Sequence, residues 1–129
     1  MTEPGNSLRT PLGRARYLGS ARLGTQEAWL VRVTAAALAP LTIGFVWLAL
    51  SLLSKDYNGV RAELSHPLPA ILLALFALVA CFHMQLGMRS VILDYVHGWQ
   101  REWALIANAF FAVALGMICV YAVLRIGFV

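Results

Sequence analysis

Three long runs without a single charge limit what this chain can become. They are Val33–Leu53, Leu68–Met88 and Trp103–Leu124, each at least 21 residues long. At 1.5 Å rise per residue, roughly 20 apolar residues cross a hydrocarbon core about 30 Å thick. Lipid offers no partner to a backbone amide, so such segments must be helices rather than open strands. Composition agrees. Apolar residues make up 60% of the chain and charged residues 12%, against roughly 45–50% and about 25% in soluble domains. That balance argues against a water-soluble enzyme domain and against disordered or collagen-like classes. The net charge of +4 comes from arginines scattered around the apolar runs. This pattern suits a membrane surface, and nucleic-acid binding is not expected. Cys81 and Cys119 both lie inside apolar runs without metal-type spacing, and read as small buried thiols.

The fold class expected is therefore an all-α membrane protein. Three transmembrane helices, spanning about 33–53, 68–93 and 103–124, should form an up-down-up bundle because the connections are short. Residues 54–67 hold the turn-like pair Asn58-Gly59, and a second turn is expected near His97-Gly98. Lys and Arg counts set the orientation. Arg9, Arg14, Arg16, Arg22, Arg32, Arg89 and Arg101 fall on one side, and Lys55, Arg61 and Arg125 on the other. Seven against three places the N-terminus in the cytoplasm and the C-terminus outside.

Residues 1–28 are rich in Pro, Gly, Ser and Arg and lack apolar periodicity. They read as a mobile cytoplasmic arm ahead of a three-helix anchor domain over 29–129. The first apolar run is too long and starts too late for a cleaved signal peptide. Pro11 and the glycines make the arm a poor amphipathic presequence, which favours a bacterial inner membrane over a mitochondrial one.

Polar groups within lipid are costly and need partners. His83 is the one ionisable residue deep in a span, about 16 Å along the helix from Asp94. Either it hydrogen-bonds to a neighbouring helix, or it ligates a metal or haem. Gly87, Ser90 and Asp94 follow at spacings of four, three and four, which puts them within about 40° of His83 on one helix face. Gly87 either makes room for a bulky flat ring or forms a small-residue helix contact. Asp94 sits at the C-terminal turn, where a carboxylate opposes the helix dipole, so it calls for an arginine partner or a proton to handle. Tyr95 is either an interfacial aromatic or a hydrogen-bond donor to a carbonyl ligand. Arg32 either anchors the first span or pairs with a carboxylate, which would be Asp94 or a haem propionate. His66 and His97 read as solvated helix ends, and Trp29, Trp47, Trp99 and Trp103 as interface belt residues. Pro40 is expected to kink the first helix.

Ligand supply then becomes decisive. A low-spin electron-carrying haem usually takes two axial side chains, and this chain has one deep histidine. Three helices also make a small enclosure for so large a ring. Any haem would need a second membrane subunit to complete it.

At these residues a resemblance enters. The run from His83 to Val96 fits H-x-x-x-G-M-x-x-V-x-x-D-Y-V, and Gly24 to Ala35 fits G-x-x-x-x-x-L-V-R-x-T-A. Both resemble the succinate dehydrogenase hydrophobic membrane anchor, the D subunit of respiratory complex II. The third helix adds only hydropathy. The resemblance implies a bundle packed with a second three-helix anchor, the C subunit, and joined to iron–sulfur and flavoprotein subunits. It implies His83 as an axial ligand of haem b, shared with that second subunit, and Arg32 near the haem propionates. It further implies that Tyr95 hydrogen-bonds a ubiquinone carbonyl and that Asp94 holds the quinone site and its protons. Some relatives have a histidine where Gln26 stands here. The chain would contribute to electron transfer only as a subunit, and no catalytic nucleophile is apparent. Two other readings remain: the anchor of another b-haem oxidoreductase such as fumarate reductase, and a cofactor-free structural or transport-accessory protein.

Overall fold

A computed structural model describes residues 20–128, and throughout them the chain is helical apart from short connections. Helix α1 spans Ser20–Leu52, α2 Tyr57–Leu64, α3 Pro67–Tyr95 and α4 Trp99–Phe128. The first, third and fourth contain apolar stretches long enough to cross a bilayer: Gly24–Leu52, Pro67–Tyr95 and Trp99–Gly127. The three spans expected from hydropathy are present. Each outruns its apolar run, because helix continues into the polar boundary.

Two differences from expectation have local causes. Helix α1 begins at Ser20, within the segment read as an arm over 1–28; residues 1–19 of that arm lie outside the described residues. The connection between the first two spans also carries a short helix, α2. The pair Asn58-Gly59 does not make a turn; it sits in the first turn of α2. Asp56 is the N-cap, and its carboxylate accepts from the Gly59 backbone N–H at 3.0 Å. A Cβ at position 59 would lie 2.9 Å from Asp56 Oδ1, so glycine admits the cap. Lys55 Nζ donates to Glu63 Oε2 at 2.6 Å across α2. That ammonium holds the Glu63 carboxyl below the usual carboxylate range.

Helix α3 starts with Pro67 in its first turn, where a missing N–H costs nothing. His66 occupies the N-cap without a side-chain cap hydrogen bond. The helix ends at Tyr95, Val96 is extended, and Gly98 takes φ +70. The turn expected at His97-Gly98 is therefore where the sequence placed it, and it needs a left-handed residue. Pro40 lies inside α1.

Helix α3 is the centre of the molecule. Helices α1 and α4 both pack against it and make next to no contact with each other. The order is up-down-up, antiparallel at each contact. Along the α1–α3 seam, Gly44 meets Leu72, and Phe45 stacks on Phe76 with ring centroids 4.6 Å apart. Along the α3–α4 seam, Gly116 approaches Cys81 and Leu78, and Asn108 Nδ2 donates to the Gln85 carbonyl at 3.0 Å. Lipid removes the hydrophobic drive between helices, so small residues and interhelical hydrogen bonds set this register. A Cβ on Gly44 would sit 2.7 Å from Leu72 Cδ1. Leu72 can rotate away from alanine, whereas Gly44→Ile would push the backbones apart. We expect Gly44→Ile to cost about 1–3 kcal/mol, read as earlier unfolding in a detergent titration.

The packing is open. Among the described residues no side chain reaches full burial, and large apolar groups such as Ile43 and Phe110 are more than 70% exposed. A chain with this surface belongs in lipid or against other membrane helices.

Candidate intramembrane site

The site begins with Thr34 and His83. Thr34 is buried on the α3-facing side of α1, and its Oγ1 lies 2.7 Å from His83 Nδ1. The same hydroxyl is 2.8 Å from the Leu30 carbonyl and 3.1 Å from that of Val31. A helical threonine reaches back to such carbonyls readily. The neighbouring-helix hydrogen bond that a neutral imidazole requires is therefore met, through one ring nitrogen. His83 is half-buried, and its Nε2 is left to other partners.

One turn along α3, Gly87 is exposed, and a Cβ there would meet nothing within 4 Å. It makes no close helix contact among the described residues. The space beside it is open.

Towards the end of α3 that bears Tyr95, Arg32, Glu27 and Gly24 of α1 join Ser90 and Leu86 of α3 around a cavity of about 390 Å³. Arg89 Nη2 donates to Glu27 Oε1 at 3.0 Å, tying the two helices. Both side chains are more than a third exposed, so the pair adds no more than about 1 kcal/mol. Arg89 Nε is buried without a partner. The Ser90 hydroxyl donates to the Leu86 carbonyl at 3.3 Å.

The four residues singled out from sequence are thus not all gathered. Arg32 lines the boundary cavity. Asp94 and Tyr95 are exposed and do not border it; Tyr95 is 78% exposed. The Arg32–Asp94 pair considered from sequence is not formed among the described residues; the cross-helix ion pair is Arg89–Glu27 instead. Gln26 is exposed. All four tryptophans are exposed, as belt residues would be. Both cysteines are free and half-buried, and the described residues hold no group of three metal-ligating side chains. A larger concavity of about 810 Å³ runs between α3 and α4, lined by apolar residues such as Phe82, Val113 and Met117. His83 does not border it.

Sequence reasoning missed Thr34, Asn108 and the Glu27–Arg89 pair. Each carried a signal. Thr34 is a hydroxyl two residues past Arg32, and Asn108 is the only asparagine in the three apolar runs. Glu27 is the only acidic residue between Glu3 and Asp56.

Three apolar spans in an open layer, with one histidine hydrogen-bonded between two of them, define a small multi-pass membrane protein. Residues 6–123 match the family described as succinate dehydrogenase/fumarate reductase transmembrane subunit, and the chain belongs to that family. The succinate dehydrogenase hydrophobic membrane anchor subunit of Paracoccus denitrificans is 36% identical over 118 residues, 92% of each chain. The subunit of the same name from Rickettsia bellii is 31% identical over 68% of this chain and 70% of its own, and that from Rickettsia conorii 30% over 79% and 83%. No solved structure matches the chain significantly.

Proposed function

We propose that this chain is the hydrophobic membrane anchor of a bacterial succinate dehydrogenase in the inner membrane. In this reading it binds haem b jointly with a second anchor subunit and forms part of a ubiquinone-reduction site. The observation that carries the reading is the half-buried His83, with one ring nitrogen engaged by Thr34 and open space at Gly87 beside it. The donor set fits one half of a bis-histidine haem site. One imidazole nitrogen is available within the span, and the His83 side chain is only half-buried. Arg32 at the cavity edge supplies a cation for a propionate. The second nitrogen ligand would come from the partner anchor.

When bound, the haem supplies a one-electron store whose potential depends on ligand identity and burial. The chain's own residues do the rest. Succinate oxidation to fumarate in the flavoprotein releases two electrons and two protons, and the electrons pass singly through the iron–sulfur subunit. Tyr95 donates a hydrogen bond to a quinone carbonyl oxygen and orients the ring. Asp94 stands beside it at the water boundary, where it hands on protons. Two electrons and two protons complete the quinol. The exposure of Tyr95 and Asp94 supports a site finished by neighbouring subunits.

The Thr34–His83 hydrogen bond also favours a second reading, in which His83 only joins two helices and no cofactor binds. Removing the chain tests the function. In cells lacking it, succinate oxidation by an artificial acceptor should persist in the soluble fraction while quinone reduction by the membranes falls to background. Quinone reduction at the normal rate would refute the assignment.

A further inference from the structure

Thr34 and Asn108 are the only buried polar side chains among the described residues. Thr34 Oγ1 faces three groups: the Leu30 carbonyl at 2.8 Å, the Val31 carbonyl at 3.1 Å and His83 Nδ1 at 2.7 Å. A hydroxyl has one proton and two lone pairs, and a carbonyl can only accept. If the proton went to Nδ1, the Thr34 oxygen would face two acceptor oxygens with nothing between them. In that case Nε2 would carry its N–H without a partner among the described residues. With the proton between the two carbonyls, aimed at the nearer one of Leu30, Thr34 Oγ1 keeps a lone pair for the ring and His83 Nδ1 has a proton to give it. His83 Nδ1–H donates to Thr34 Oγ1, and Thr34 O–H donates to Leu30. The two bonds run in one direction, and each polarises the next.

We infer that Thr34 is a positioning residue for His83. It fixes the imidazole's rotation and the tautomer whose lone pair is on Nε2, and by accepting the Nδ1 proton it raises the basicity of that lone pair. This rests on the reading that Nε2 ligates haem iron. Ligating histidines generally donate their other N–H to a carbonyl, carboxylate or water. Here a threonine hydroxyl takes that place and relays the bond to a backbone carbonyl of α1. Threonine suits the role because its stiff χ1 holds the oxygen between the two carbonyls and the ring. Helix α1, which brings no ligand to the iron, thus sets the donor strength of the ligand on α3.

The test uses the purified whole complex. Thr34→Val keeps the shape and removes the hydroxyl; Thr34→Ser keeps the hydroxyl. The midpoint potential and the low-spin ferric EPR spectrum of the b-type haem are measured in each. An imidazole that loses its Nδ1 acceptor stabilises ferric iron less. Thr34→Val should therefore shift the potential upward and alter the g-values, while Thr34→Ser stays at the wild-type position. Should valine prevent assembly, Thr34→Ala is read in the same way. Haem loss in both Val and Ala variants, with full haem in the Ser variant, also supports the role. An unshifted potential and spectrum in the hydroxyl-free variants overturns it, as does a serine variant that behaves like valine. A wild-type complex with no b-type haem overturns the haem reading itself, and this role with it. A haem-containing wild type with no Val or Ala effect overturns only the role of Thr34.

Discussion

His83→Ala should strip the b-type absorbance from the complex while leaving its subunits assembled. The two consequences separate because their magnitudes differ. Alanine removes the only imidazole within the three apolar runs, so the proposed bis-histidine site would lose one of its two donors. The structural loss is small. His83 gives up one interhelical hydrogen bond, to Thr34. Such bonds within membranes average about 0.6 kcal/mol and reach about 1.7 kcal/mol at most. The remaining α1–α3 seam, with Gly44 against Leu72, the Phe45–Phe76 stack and the Glu27–Arg89 pair, is untouched. Subunit stoichiometry on a native gel should therefore match wild type while the absorbance bands vanish. Retained bands would remove His83 from the ligand set.

Tyr95→Phe should lower quinone reduction by about tenfold while succinate oxidation with an artificial acceptor stays near wild type. The substitution deletes one hydroxyl. Tyr95 is 78% exposed in this chain, so little packing within the bundle is lost. A hydrogen bond to a substrate carbonyl contributes on the order of 1–1.5 kcal/mol, and 1.36 kcal/mol corresponds to tenfold in rate. Steady-state assays with the two acceptors on one preparation separate a quinone-site defect from a defect in the catalytic subunits. Equal quinone kinetics in wild type and variant would take Tyr95 out of the site.

What the sequence made legible follows from what hydropathy and spacing encode. Uncharged runs of span length dictate helices, and short connections dictate an up-down-up order; both hold in the structure. His97-Gly98 was readable as a turn because a helix end there needs a positive φ, and Gly98 supplies it. Helix α2 was not read, because Asn58-Gly59 resembles a turn unless Asp56 is recognised as its N-cap. Partnerships across helices were the least legible. Thr34 with His83, Asn108 with Gln85 and Glu27 with Arg89 all depend on how one helix slides against another. Packing at small residues such as Gly44 and Gly116 sets that slide, and the hydropathy of a single helix carries no record of it. His83 stood out because an imidazole deep in lipid needs a reason. Arg32, Asp94 and Tyr95 stood out by position, yet of the three Arg32 borders the boundary cavity while Asp94 and Tyr95 are exposed outside it. In the proposed function, the partner subunits supply the rest of the site.

The central claim is that this chain holds half of a haem site, and the most direct measurement is the haem content of the assembled wild-type complex. The complex is purified in mild detergent, its subunit ratio fixed by quantitative mass spectrometry, and its dithionite-reduced spectrum recorded. One b-type haem per complex, lost together with this chain, is the result expected. A complex with every subunit at full stoichiometry and no Soret absorbance would contradict it, and would leave His83 as a bond between two helices.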